Sequence, residues 1–183
     1  MARQGLRSRV TRDNSQVTEM PLVRRMGEDD WARVRDIRLT ALQDSPSAFT
    51  STYEREAAFD EATWRSRTRT AAWFLAYDGT RAVGLVAGIH EEGAPVGERH
   101  VVSFWVAPDR RGRGVAGGLL EAVIDWARTE GADLVTLWVV DGNDPAARLY
   151  LRYGFQPTGE RQLVPRSVST VESKLGLHLS GCG

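Results

Sequence analysis

Apolar residues recur along this chain with two periods, and the switches between them lay out its elements. Pro21 to Met26 reads as a short strand closed by Gly27, and Glu28-Asp-Asp30 supplies acidic residues suited to a helix N-terminus. Trp31, Val34, Ile37, Leu39 and Leu42 then recur at helical spacing until Asp44-Ser-Pro46. Phe59 to Thr68 reads as a second helix with Trp64 turned inward. Ala71 to Tyr77 is an apolar strand, turned by Asp78-Gly79 and answered by Ala82 to His90. After a loop at Glu91-Glu-Gly-Ala-Pro95, His100 to Val106 forms another strand. Leu119, Leu120, Val123, Ile124 and Ala127 mark one face of a helix that Gly131 stops. Leu134 to Val140 is almost unbroken in its apolar run, the pattern of a strand buried on both faces. Asp144-Pro145 opens a helix with proline at a tolerated first position, and Gly154 ends it. Two more extended stretches run from Phe155 to near Leu177. The order β-α-α-β-β-β-α-β-α-β-β predicts a mixed α/β domain with helices on both sides of one sheet.

Composition narrows the class further. A chain of 183 residues, 42% hydrophobic and 26% charged, suffices for one domain with a substantial core. Its 24 Lys and Arg balance 24 Asp and Glu, which argues against nucleic-acid binding driven by global charge. The single cysteine, Cys182, can form no internal disulfide and fits a reducing, cytoplasmic setting. No apolar run approaches membrane-spanning length, and no metal site is expected. Residues 1–19 differ, with Arg3, Arg7, Arg9 and Arg12 among Ser, Thr, Gln and Asn. They read as a disordered tail, or as an upstream extension with the true start at Met20. Organellar transit peptides share this Arg- and Ser-rich, acid-poor composition. Residues 20–178 are taken as a single domain and 179–183 as a short C-terminal tail.

The densest chemical signal follows the strand ending at Val106. Glycines at 112, 114, 117 and 118 let a backbone approach a ligand closely and turn several N–H groups the same way. The helix beyond adds unpaired N–H groups and the positive end of its dipole, so the segment reads as an anion cradle for a phosphate or pyrophosphate. Gly112-Arg-Gly-Val-Ala-Gly117 also fits the dinucleotide fingerprint G-x-G-x-x-G, with Asp141 ending the next apolar strand. Two features oppose that reading. Ala107-Pro-Asp-Arg-Arg111 separates the glycines from the strand, and too little chain follows for a second mononucleotide half. No Lys-Ser/Thr follows Gly117, so a P-loop is excluded.

A second motif lies downstream: Asn143-Asp-Pro-Ala-Ala-Arg-Leu-Tyr-Leu-Arg-Tyr-Gly-Phe155. The strand plus Arg111-Gly-Arg-Gly-Val-Ala116 resembles motif A of the GNAT superfamily of N-acetyltransferases, whose pattern is Q/R-x-x-G-x-G/A. Asn143, Ala146, Ala147, Leu149, Tyr150, Gly154 and Phe155 are similar to that family's motif B, and the resemblance covers roughly Pro21 to Leu177. It implies a GNAT-type mixed, mostly antiparallel sheet with a splayed parallel strand pair at the cofactor site. It implies acetyl-CoA as cofactor and a primary amine, of a small molecule or a peptide, as acceptor. Main-chain groups of Phe104, Trp105 and Val106 would pair with the pantetheine arm as an added strand does. Amides from Gly112, Arg113, Gly114, Val115, Ala116 and Gly117 would hold the pyrophosphate, with Arg111 or Arg113 making an ionic contact. Asn143 would bond the cofactor where the strands part, and also suits a helix cap. Tyr150 would protonate the departing thiolate. A homodimer is a common state in that family.

Other positions carry less specific signals. Some GNAT members place a glutamate where this chain has His100; a histidine there keeps titratable character near neutral pH, while its plain reading is a surface residue at a strand start. Glu98 or a water chain is an alternative base, Tyr153 a secondary tyrosine, and Ser103 a nonspecific polar residue near the substrate side. The first two helices and the loop after them, including Arg38, Phe49, Thr52, Tyr53 and Glu54, are expected to shape the acceptor site. The run Leu42-Gln-Asp-Ser-Pro-Ser-Ala-Phe49 resembles a segment of many bacterial members without a uniform substrate. A catalytically idle acyl-CoA-binding module is the alternative function.

Overall fold

A computed structural model describes residues 21–165 and 167–179. The elements follow in the order β1 (Leu22–Met26), α1 (Trp31–Asp44), α2 (Tyr53–Ala57), α3 (Glu61–Thr70), β2 (Ala72–Asp78), β3 (Arg81–Ile89) and β4 (Glu98–Val106). Then come α4 (Val115–Thr129), β5 (Leu134–Val140), α5 (Asp144–Arg152), β6 (Gln156–Leu163) and β7 (Val171–His178). The expected N-terminal tail and Cys182 lie outside the described residues. No helix among the described residues is long and apolar enough to cross a membrane.

One seven-stranded sheet runs in the order β1-β2-β3-β4-β5-β7-β6. Every neighbouring pair is antiparallel except β4 and β5, which are parallel. That pairing is short. It joins Glu98–Val101 to Leu134–Leu137, after which the strands part.

Helices cover both faces of the sheet. On one face α4 packs so closely on β3 that a Cβ built on Gly88 would lie 2.2 Å from the Trp126 ring and 2.8 Å from Val123. The apolar face of α4 read from the sequence, Leu119, Leu120, Val123, Ile124 and Ala127, is buried there. On the other face Trp105, paired with Leu85, donates its indole N–H to Asp44 at the end of α1, 2.9 Å away.

Two elements differ from expectation. The second helix begins at Glu61 rather than Phe59, because the Asp60 carboxylate caps it by accepting from the Thr63 N–H at 2.8 Å. Phe59 instead sets its ring edgewise on Trp64, with centroids 6.0 Å apart. The additional short helix α2 escapes apolar periodicity because its buried residue is a charge, Glu56. Beyond β7, Leu179 is buried and its N–H bonds the Asp133 carbonyl at 2.8 Å.

Candidate active site

Where β4 and β5 part, a cleft of about 980 Å³ opens. Its walls come from both sides of the sheet: Ser45, Ala48 and Trp105 from one, Ala146, Leu149 and Tyr150 of α5 from the other. The gap is therefore a passage through the sheet. Unpaired main-chain groups of β4 between Val102 and Val106 face it on the β5 side.

A β-bulge shapes that edge. Between β3 and β4, Leu85 pairs with Trp105 but Ala87 pairs with Val102, so β4 holds one extra residue. The bulge centres on Ser103, whose φ of 56 is the only positive one outside glycine among the described residues. Such a conformation costs of order 1–3 kcal/mol and persists only where its surroundings impose it. Its consequence is to turn Phe104 toward α5, where its ring lies 6.1 Å from that of Tyr150. The sequence carried no glycine to announce this bulge.

The glycine segment turns after the strand as an anion cradle requires. Gly112 and Gly114 take φ values of 72 and 83, the left-handed region that glycine enters without strain. Helix α4 begins at Val115, so Gly117 and Gly118 belong to its first turn and not to the loop. The first bond of that helix is Gly118 N–H to the Gly114 carbonyl at 3.1 Å. The amides of Val115, Ala116 and Gly117 are left without an intrahelical acceptor. Val115 offers only its amide, since its side chain is buried in the core.

Of the residues expected at the site, Phe104, Trp105, Val106, Arg111, Gly112, Gly114, Ala116, Gly117, Asn143 and Tyr150 line the cleft. Arg113, Val115 and His100 do not. Arg113 is exposed within the turn, between Gly112 and Gly114. Arg111 is engaged by the protein itself: its Nε donates to the Val106 carbonyl at 3.0 Å and its Nη2 to Asp44 at 3.2 Å. The Trp105 indole, the Ser45 hydroxyl and Arg111 together hold the Asp44 carboxyl below its usual range. Asn143 caps α5, its Oδ1 accepting from the Ala146 N–H at 3.3 Å, which leaves its amide N–H groups uncommitted.

Tyr150 is 7% exposed and packed between Phe104 and Phe155, with ring centroids 6.1 and 5.9 Å away. Burial pushes its phenol well above the ordinary tyrosine value, so the hydroxyl keeps its proton at the cleft wall. Tyr153 also reaches the cleft, but its hydroxyl donates to Glu121 at 2.7 Å.

His100 is not the surface residue that its place at a strand start suggested. It is 5% exposed, on the α1 side of the sheet, opposite Thr136 on β5 and one rung before the strands part. Its Nδ1 lies 2.8 Å from the Thr136 hydroxyl, and that hydroxyl lies 2.7 Å from the Glu98 carboxylate. Lys174 of β7 pairs with the same carboxylate oxygen at 3.3 Å. Burial pushes the His100 imidazole below its ordinary value, with Glu91 and Glu98 pulling against it and Lys174 with it.

The expected acceptor residues are divided. Arg38 is sealed in a two-pronged ion pair with Glu56 and is not available to a substrate. Burial alone would raise the Glu56 carboxyl, but Arg38 and Arg67 outweigh it and hold it ionised. Phe49 lies over the Arg38 guanidinium, 4.4 Å from ring centroid to carbon. Thr52 caps α2 through the Arg55 N–H. Tyr53 and Glu54 stay at or near the surface.

The model of the acetyltransferase (GNAT) family matches residues 32–155, which hold the passage, the glycine turn and Tyr150. The chain belongs to the GNAT family. Among curated relatives, N-acetyltransferase 8F1 of Rattus norvegicus is 34% identical over 94 residues, covering 50% of this chain and 42% of its own length. Mycothiol acetyltransferase of Corynebacterium aurimucosum is 36% identical over 101 residues, covering 52% and 33%. The chain thus spans less than half the length of either relative. Among solved structures, yncA of Salmonella typhimurium with its cofactor acetyl-CoA superposes with a TM-score of 0.71 at 16% identity, covering 89% of this chain and 96% of that one. Arabidopsis thaliana NAA60 in complex with a bisubstrate analogue gives 0.64 at 17% identity, covering 87% and 98%. These likenesses establish the GNAT fold, with its one parallel strand pair in an otherwise antiparallel sheet.

Proposed function

We propose that this chain is an acetyl-CoA-dependent N-acetyltransferase that moves the acetyl group directly onto a primary amine of a small molecule or peptide. The observation that carries this reading is the passage through the sheet, with a protonated Tyr150 hydroxyl on its α5 side. The residues present suit acetyl-CoA. Left-handed Gly112 and Gly114 and the free amides of α4 suit a pyrophosphate. The unpaired β4 backbone suits the pantetheine amides. When bound, acetyl-CoA supplies a thioester that an unprotonated amine can attack.

The chain's own residues then have three tasks. An amine with a pKa near 10 is mostly protonated at neutral pH, so a base must take a proton from it. His100, one rung before the strands part and outside the cleft lining, is assigned that task through an intervening water. Tyr150 holds a proton at its Oη, ready for a departing thiolate. Backbone N–H groups of β4 at the gap face the oxygen on which negative charge develops. Holding two reactants in line replaces a covalent enzyme intermediate.

The test is acetyl-CoA turnover against a mixed amine panel, read as released thiol, with Tyr150→Phe beside the wild type. Thiol release that requires an amine and falls at least about tenfold in the variant supports the reaction and the acid. Acetyl-CoA binding without release for any amine would replace this reading with an idle acyl-CoA-binding module.

A further inference from the structure

The buried cluster behind the passage decides where the His100 proton sits. Burial would raise the Glu98 carboxyl, but the Thr136 hydroxyl and the Lys174 ammonium outweigh it, and Glu98 stays ionised. An ionised carboxylate can only accept, so the single Thr136 hydroxyl proton at 2.7 Å is committed to Glu98. The Thr136 oxygen can then only accept from His100, whose Nδ1 at 2.8 Å must carry the proton. In a neutral imidazole this leaves Nε2 with a bare lone pair. Nε2 makes no hydrogen bond within the cluster. Nor is it among the sealed, unpartnered side-chain atoms, which among the described residues are Arg38 Nη1, Trp64 Nε1 and Arg67 Nε.

We propose that Thr136 and Glu98 are positioning residues that fix His100 as its Nδ1–H tautomer and thereby keep Nε2 as the proton acceptor for a water that relays the proton of the acceptor amine. The proposal rests on the acetyl-transfer reading. Glu98, His100 and Thr136 share the face of the sheet that carries α1, whereas Tyr150 stands on the other. Base and acid therefore flank the gap from opposite sides. In the step concerned, one N–H bond of the substrate ammonium breaks and its electron pair stays on nitrogen. The proton passes to the intervening water, which gives one of its own to Nε2, and in the resulting imidazolium the Nδ1–H stays hydrogen-bonded to the Thr136 oxygen. The charged groups facing this imidazole are Glu98 on its own strand, Glu91 in the preceding loop and Lys174 on β7, with Glu160 of β6 bonded to Lys174 at 3.5 Å.

The experiment combines ¹⁵N NMR of histidine-labelled protein, which reads the tautomer without substrate, with steady-state kinetics across pH. The wild type should show a protonated Nδ1 and a bare Nε2. Thr136→Val keeps the shape but removes the acceptor, so the tautomer should move toward Nε2–H. Its kcat/KM for the amine should fall at least about tenfold, with the KM for acetyl-CoA within about twofold. Thr136→Ser restores the hydroxyl and should restore both readouts. Glu98→Gln frees the Thr136 proton to turn, so both tautomers should be populated and the acidic limb of the pH profile should shift. An Nε2–H tautomer in the wild type overturns the proposal, whether or not the variants fold. So does a Thr136→Val protein with unchanged tautomer and unchanged kcat/KM. A bare Nε2 with no amine-dependent thiol release would uphold the tautomer and reject the acetyl-transfer reading instead.

Discussion

Arg38 and Glu56, eighteen residues apart, meet through two hydrogen bonds of 3.0 and 2.9 Å in a place where Glu56 has no exposed surface. The pair ties α1 to α2, and Arg67 of α3 approaches the same carboxylate at 3.5 Å. Removing one partner of such a pair strands a buried charge, at a cost of about 3–5 kcal/mol, whereas replacing both by apolar groups of similar volume is often neutral. Glu56→Ala should therefore lower the urea midpoint sharply, and the double change Arg38→Met with Glu56→Leu should recover part of the loss, Arg67 still lacking its carboxylate. Equal losses in single and double variants would refute this account of the pair.

Helix α4, which brings the free amides to the cleft, is held against β3 at Gly88. A methyl group there would sit 2.2 Å from one Trp126 ring carbon and 2.6 Å from another. The ring is half-buried, but the buried Val123 lies 2.8 Å from the same added Cβ, so moving the ring alone does not clear the space. Overpacking of this kind costs about 1–3 kcal/mol. Gly88→Ala should lower the thermal midpoint, and Gly88→Ala with Trp126→Phe should regain part of it. An exposed control, Gly27→Ala, whose added Cβ would meet nothing within 4 Å, should leave the midpoint near the wild-type value.

Periodicity made most elements legible because most inward faces are apolar: α4 and β5 stand where their Leu, Val and Ile patterns placed them. The failures share a physical cause. Sequence patterns equate charge with exposure, yet Arg38, Glu56, Glu98 and His100 are all buried because each finds its partner on another element. Thus periodicity shows no helix at α2, offers Arg38 to the acceptor site, and leaves His100 between a catalytic base and a surface residue. The bulge at Ser103 was illegible for a different reason. Its strain is imposed by pairing with β3, and no local residue preference encodes it. The motif glycines are legible in a different way, since a turn through the left-handed region at Gly112 and Gly114 is a backbone demand that glycine states directly.

Two arginines compete for the role of phosphate contact. Arg111 is already bonded to Asp44 and to the Val106 carbonyl, the group expected to meet the pantetheine arm. Those bonds occupy its Nε and Nη2 and leave Nη1 as its one uncommitted nitrogen for a phosphate. Arg113 makes no ion pair among the described residues and sits between the two left-handed glycines. Hydrogen bonds to charged groups contribute about 1.5–3 kcal/mol. Arg113→Ala should therefore weaken coenzyme A binding by about tenfold or more, and Arg111→Ala by about threefold or less, in calorimetric titration. The Arg113 effect should shrink as salt is raised. The reverse ranking would mean that Arg111 makes the phosphate contact.

The buried imidazole also sets the acid stability of the fold. His100 titrates below its ordinary value of about 6.5 in the folded chain, because protonation would place a charge where solvent is excluded. Below about pH 6.5 the unfolded chain therefore binds a proton that the native chain does not, and stability falls as pH falls through that window. Glu98 acts lower on the scale. Its carboxyl is held below the usual carboxylate range, so the stability it contributes is lost only below about pH 4.3. Urea unfolding across pH should show a decline between about pH 7 and 5 that His100→Gln flattens, and a second decline in more acidic solution that it leaves in place. If His100→Gln leaves the upper decline unchanged, the proton that destabilises the fold near neutrality binds elsewhere.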